Sequence, residues 1–130
     1  MSTVRAAVVG AGHLGEFHAE KYAQIPNADL VAVCDLDPAT GKAVASAHGA
    51  AFTVDHRELI GKTDAVTIAT DTSMHFELAR FFLENGVHVL VEKPMTTTSA
   101  EGRILTALAE RNDLRLQVGH VERFNPAFLS

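Results

Sequence analysis

The fold class this sequence predicts is a doubly wound parallel α/β sheet of six strands in the order 3-2-1-4-5-6. Three observations carry that prediction. Short runs rich in valine, leucine and alanine alternate with segments of helical periodicity along nearly the whole chain. Most of the runs are apolar at every position rather than at every second one, the pattern of strands covered by helices on both faces. The joints are short and carry helix start and stop residues, so each strand feeds a right-handed crossover to a parallel neighbour.

Taken in order, a first strand is expected over 4–9, followed by a helix over 13–24. A strand over 30–34 leads to Asp37-Pro38, an N-cap with proline in the first helical position, and so to a helix over 38–48. Gly49 stands where a helix C-terminus favours a left-handed residue. A weak strand over 51–53 and a short helix over 55–60 follow, then a strand over 65–69 and a helix over 74–85 closed by Gly86. The fifth strand is expected over 87–91. Thr98 with Glu101 forms a capping box for a helix over 99–112, and the sixth strand lies over 116–118. Residues 1–119 thus make one domain. Pro126 and the apolar residues after it suit the opening of another element, so 120–130 are expected to begin a second, truncated domain.

Composition narrows the function classes. At 130 residues the chain holds one hydrophobic core, and its 47% apolar and 21% charged residues are ordinary for a soluble globular protein. A formal charge of −5 gives no general attraction to nucleic acid or to an anionic membrane. The single cysteine, Cys34, cannot form an internal disulfide and is read as core. With Met1 running straight into a strand and no membrane-length apolar stretch, a cytoplasmic location is expected. The seven histidines lack metal-ligand spacing, so no metal is expected; His18, His48, His56 and His88 are read as surface or packing residues.

The chemistry begins at Gly10-Ala11-Gly12-His13-Leu14-Gly15, a Gly-x-Gly-x-x-Gly between the first strand and its helix. In that context the motif reads as a dinucleotide-binding turn. Gly10 permits the tight turn, Gly12 leaves room for a pyrophosphate, and Gly15 lets the helix pack closely on the strand. The helix N-terminus then offers unpaired N–H groups and partial positive charge to the phosphates. Asp35 ends the second strand twenty residues beyond Gly15, where a carboxylate can accept both adenosine ribose hydroxyls. Positions 36–41 contain no Lys or Arg to receive a 2′-phosphate, so the expected cofactor is NAD rather than NADP.

Three more segments follow the C-terminal ends of later strands, the edge at which open α/β sheets bind ligands. They are Ala69 through His75, Glu92-Lys93-Pro94, and Gly119 through Pro126. With the glycine turn, the run Val87-His88-Val89-Leu90-Val91 before Glu92-Lys93-Pro94, His75, and Arg123-Phe124 with Pro126 behind, the whole chain resembles the Gfo/Idh/MocA oxidoreductases. The resemblance implies a Rossmann cofactor domain followed by a larger open-sheet domain that completes the substrate site and makes the oligomer contacts. It implies hydride exchange between NAD and a hydroxyl of a sugar, nucleotide-sugar or cyclitol. Lys93 is then the catalytic residue, its ammonium polarising the reacting oxygen, with a cis Lys93–Pro94 bond. The eight residues 119–126 look most like members that oxidise nucleotide-linked amino sugars at C3.

The expected cofactor-contacting residues are therefore Gly10, Gly12, His13, Leu14 and Gly15 at the turn, and Asp35 and Leu36 after the second strand. Ala69, Thr70, Asp71, Thr72 and His75 join them after the fourth strand, and Glu92, Lys93 and Pro94 after the fifth. Asp71 stands where the family usually has proline; it can cap a helix starting near Ser73 or bond a substrate hydroxyl, and capping is the preferred reading. Asp37 is read as a cap alone. His75 either reaches the nicotinamide end or caps and packs. An NAD(H)-sensing module without catalysis is the alternative function, and retention of Lys93 argues against it. An S-adenosylmethionine-dependent transferase would leave Glu92-Lys93-Pro94 unexplained. The fragment alone is expected to be inactive.

Overall fold

The computed structural model describes residues 3–119. The elements run β1 (Val4–Val9), α1 (His13–Gln24), β2 (Ala28–Cys34), α2 (Pro38–Ala47), β3 (Ala51–Thr53), a single 3₁₀ turn (His56–Leu59), β4 (Ala65–Ile68), α3 (Thr72–Glu84), β5 (His88–Glu92), α4 (Ser99–Arg111) and β6 (Leu116–Gly119). All pairings are parallel and the sheet order is β3-β2-β1-β4-β5-β6, as the sequence predicts. The expected second domain over 120–130 lies outside the described residues.

Alternating side chains of the central strands feed two separate cores, which is why the strands read apolar throughout. Ala6, Val8, Leu30 and Val33 face α1 and α2 and pack with Ala19, Tyr22 and Val44. Ala7, Val9, Val66, Ile68, Val89 and Val91 face the other way, against Leu78, Phe82 and Leu83 of α3 and Leu105 of α4. Tyr22 is fully buried, and its hydroxyl bonds Thr67 Oγ1 at 2.6 Å, so α1 is tied to β4 by a satisfied polar contact inside the core. Desolvation raises the Tyr22 phenol to about 12.

The helix boundaries follow local chemistry. Asp37 caps α2 by accepting from Ala39 N–H at 3.2 Å, with Pro38 next. Gly49 and Gly86 adopt φ of 68° and 80°. The capping box at α4 is only half formed. Thr98 Oγ1 accepts from Glu101 N–H (3.2 Å), but the Glu101 carboxylate takes its bond from Thr97 Oγ1 (2.9 Å). The helix expected over 55–60 is one 3₁₀ turn, with Asp55 accepting from Arg57 N–H at 3.0 Å. Helix α3 starts at Thr72, two residues before the expected 74, because Asp71 is the extended residue at its head.

Candidate functional site

At the C-terminal edge of the sheet the β1–α1 turn is suspended between two neighbouring strands. Gly10 N–H donates to the Cys34 carbonyl on β2 (2.8 Å), and Ala69 N–H, just past β4, donates to the Val9 carbonyl (2.8 Å). Gly10 has φ +99° and its Cβ position lies 2.9 Å from the Ala69 backbone, so only glycine fits there. Gly15 is excluded from bearing a side chain by a different neighbour, since a Cβ would sit 1.7 Å from the Gly10 carbonyl oxygen. Gly12 differs from both: a Cβ there meets nothing within 4 Å. The fold does not demand that glycine. The space above it is open to a ligand.

That space is the floor of a cleft of about 550 Å³, and Gly10, Gly12, His13, Leu14, Asp35, Leu36, Ala69, Thr70 and Asp71 line it together. These residues come from the β1–α1 turn with the first residues of α1 and from the segments after β2 and β4, and they share one cleft. Gly12 is the N-cap residue of α1 and gives no side-chain cap, leaving the first-turn N–H groups directed toward the cleft end of the helix. The room over Gly12 and the uncapped helix start both fit a pyrophosphate.

Asp35 does more than the sequence reading asked of it. Its Oδ2 accepts from Ala11 N–H at 2.6 Å and its Oδ1 from Asp37 N–H at 2.8 Å, so the carboxylate latches the glycine turn to the end of β2. Each oxygen keeps a second lone pair for a ribose hydroxyl. The next basic residue, Lys42, carries its ammonium over the Phe52 ring at 6.0 Å and is engaged on the α2–β3 side. Cys34 is buried behind Asp35, and desolvation, with the nearby carboxylates adding, raises its thiol to about 12; it is core, not a nucleophile.

The cleft also contains residues that the sequence reading did not place there. Val54, His56, Met74 and Leu78 also line it. Leu36 is 75% exposed, and Val54, Met74 and Leu14 are exposed as well, so four of the six exposed large apolar residues among those described face this one cleft. Exposed apolar surface gathered in a concavity is a binding feature, and it fits a flat heteroaromatic base. The signal was present in sequence only as unexplained apolar residues just past β2 and β3. His56 stacks edge-on against Phe81 at 5.0 Å, and burial lowers its pKa.

The capping role preferred for Asp71 is not realised. It occupies the N-cap position of α3 but makes no side-chain cap bond, and it is exposed on the cleft wall. Thr72, Gly15 and His75 are not among the lining residues. His75 is 2% exposed, and its ring nitrogens meet the carbonyls of Pro94, Met95 and Thr70. Glu92, Lys93 and Pro94 also lie outside the cleft lining, at the end of β5, with the Lys93–Pro94 bond cis. Lys93 is exposed and its backbone N–H donates to the Gly119 carbonyl at 3.2 Å. The reading of His18 as surface or packing misses its partner: it is 1% exposed and bonded to Glu92 at 2.6 Å.

Gly12→Val is expected to abolish NADH binding while leaving the melting temperature of the chain unchanged. A Cβ at this position meets no protein atom within 4 Å, and the branched side chain takes up space above the turn. Calorimetric titration beside a thermal melt checks this. A folded variant that binds normally would place the phosphates elsewhere.

Comparison with known proteins bears on the same features. The family model for an oxidoreductase family with an NAD-binding Rossmann fold, Gfo/Idh/MocA, matches residues 4–120. UDP-N-acetylglucosamine 3-dehydrogenase of Acidithiobacillus ferrooxidans is 39% identical over 98% of this chain and 40% of its own length. Inositol 2-dehydrogenase of Rhizobium meliloti is 35% identical, again over 98% of this chain, and 39% of its own. The crystal structure of GenD2 from gentamicin A biosynthesis, in complex with NAD, superposes with a TM-score of 0.89 at 32% identity, covering 92% of this chain and 35% of that one. The chain therefore spans about 40% of the length of the curated relatives it matches. With the strand order, the glycine turn and Asp35 all in place, this chain belongs to the Gfo/Idh/MocA oxidoreductase family, as its NAD-binding Rossmann domain.

Proposed function

We propose that this chain is the cofactor-binding part of an NAD-dependent dehydrogenase that acts on a hydroxyl of a sugar, nucleotide-sugar or cyclitol. The observation that carries the reading is the meeting of two features at one sheet edge: a dinucleotide cleft whose floor at Gly12 is open, and an exposed lysine at the end of β5. Gly10, Gly12, His13 and Leu14 hold the pyrophosphate, Asp35 the adenosine ribose, and Leu36, Val54 and Met74 the adenine. Bound NAD supplies a hydride acceptor at its nicotinamide. Thr70 and Asp71 border that end of the site.

Lys93 donates from its ammonium to the reacting oxygen and stabilises the negative charge that develops there. Residues 120–130 begin the part of the protein that orients the substrate, in the length by which the relatives exceed this chain. The relatives act, by name, on UDP-N-acetylglucosamine and on inositol, which supports a polyhydroxylated substrate. That second part also makes the oligomer contacts. The described helices include none long and apolar enough to cross a membrane.

The full-length protein should reduce NAD with a cyclitol or nucleotide-sugar, followed by NADH absorbance, and the 130-residue chain should bind NADH without turnover. Orientation of the substrate accounts for ~7–11 kcal/mol of a typical catalysed barrier, and this chain alone does not supply it. A full-length protein that binds NADH and oxidises no polyol would favour a sensing module.

A further inference from the structure

Two buried histidines reach the residues on either side of Lys93, one from each face of the sheet. His18, on α1, bonds Glu92 Oε1 through Nε2 at 2.6 Å. His75, on α3, bonds the Pro94 and Met95 carbonyls through Nδ1, both at 3.1 Å, and the Thr70 carbonyl through Nε2 at 3.0 Å. Helices α1 and α3 pack into different cores, so the two contacts close on the segment from opposite sides. Lys93 itself stays exposed between them.

We propose that His18 and His75 are positioning residues for Lys93, clamping the Glu92-Lys93-Pro94 segment between the phosphate-turn helix and the loop after β4. The inference rests on the reading of Lys93 given above.

Packing alone does not explain either side chain. His18 is 1% exposed, its Nδ1 is buried with no hydrogen-bond partner among the described residues, and burial holds its pKa below the usual value in spite of Glu92. The neutral ring with its proton on Nε2 donates to the Glu92 carboxylate and leaves only a lone pair unmatched at Nδ1. A leucine would fill that volume with no orphaned nitrogen, so the contact to Glu92 is what the imidazole adds. Glu92 is itself 9% exposed, and its carboxylate finds in His18 a donor from the helix that starts at the phosphate turn. Buried polar pairs add little net stability but can select one geometry. The His75 ring nitrogens face only carbonyl oxygens, so what the imidazole adds there is the N–H it donates from the nitrogen that carries the proton. The ring lies between the loop holding Thr70, on the cleft wall, and the two residues after Lys93. Together with the Lys93 N–H bond to Gly119, three restraints converge on one residue whose side chain remains free in direction.

The test uses His18→Leu and His75→Leu, with His18→Gln and His75→Asn as variants that retain an N–H donor. In the 130-residue chain, the ¹³C-methylated ammonium of Lys93 is followed by NMR beside NADH affinity. In the full-length enzyme, kcat and KM for NAD are measured. The leucine variants should shift or broaden the Lys93 resonance and lower kcat at least about tenfold, with NADH affinity and KM for NAD within about threefold of wild type. The donor-retaining variants should recover most of both signals. Should a leucine variant not fold, His18→Asn and His75→Ser, whose donors stop short, take its place. An unmoved Lys93 resonance and unchanged kcat in folded variants would make both histidines ordinary core. A KM increase that tracks the kcat loss would mean that they hold the cleft and not Lys93; that result also overturns the proposal. Lys93→Ala, run alongside, separates the two ideas. An inert Lys93 with a resonance that still responds to His18 and His75 refutes the role of the lysine and leaves the clamp standing.

Discussion

Lys93→Ala in the full-length enzyme is expected to lower kcat by roughly 10²–10³-fold while leaving NAD affinity nearly unchanged, by comparison with loss of a single donor to a developing oxyanion. Lys93 follows the last residue of β5 and is not among the residues lining the dinucleotide cleft, so cofactor affinity should change little on its removal. On the proposed role, what is lost is a charge-assisted hydrogen bond that strengthens as the hydroxyl gives up its proton. Such a bond stabilises the transition state by about 2.7–4 kcal/mol, and it acts on kcat because the ground state does not share it. Single-turnover NADH formation, measured beside cofactor affinity, checks the split. An unchanged rate would leave Lys93 without a chemical role.

Gly15→Ala should have the largest effect on stability. Its Cβ would lie 1.7 Å from the Gly10 carbonyl oxygen, and neither atom belongs to a flexible side chain. Relief requires α1 to lift from β1, which separates Tyr22 from Thr67 and opens the core around Val8 and Ala19. Overpacking of this kind costs ~1–3 kcal/mol where neighbours can shift, and more where they are backbone, against a total stability of ~5–15 kcal/mol. Urea denaturation should show a midpoint far below wild type or no folded baseline. Gly12→Ala, with nothing within 4 Å of its Cβ, should melt like wild type. Equal midpoints for the two would refute the packing described for α1.

The contrast between these two glycines marks how far the residues could be read without coordinates. Both stand in the same hexapeptide, and the motif assigned one to packing and the other to ligand. The structure sets the Gly10 carbonyl oxygen 1.7 Å from a Cβ at Gly15 and nothing within 4 Å of one at Gly12, which bears out the packing half of that division and leaves room for the other. Strand order was legible because each central strand is apolar on both faces, and Asp35 because it directly follows the second of them. The start of α3 was misjudged by two residues, since an aspartate in the N-cap position looks alike whether or not its side chain caps. The contacts that escaped are those made between distant segments. His18 and Glu92 are 74 residues apart, and a histidine on an amphipathic helix carries no mark of the carboxylate it will meet. The apolar wall of the cleft is likewise assembled from Leu36 and Val54, just past β2 and β3, and Met74 in the first turn of α3, residues that no single pattern joins.

The central claim is that this chain binds NAD(H) through the glycine turn and Asp35, and titration of the 130-residue chain with NADH and with NADPH tests it most directly. A 2′-phosphate about 4 Å from a carboxylate is opposed by roughly 4 kcal/mol per unit charge at an effective dielectric near 20, less where solvent screens the pair. Asp35 holds its place through Ala11 and Asp37, and Lys42 is turned toward Phe52, so no cation offsets the repulsion within that stretch. Calorimetry should give NADH an affinity at least about tenfold above that of NADPH, a difference of ~1.4 kcal/mol. Equal affinities, tighter NADPH binding, or no binding of either would contradict the account.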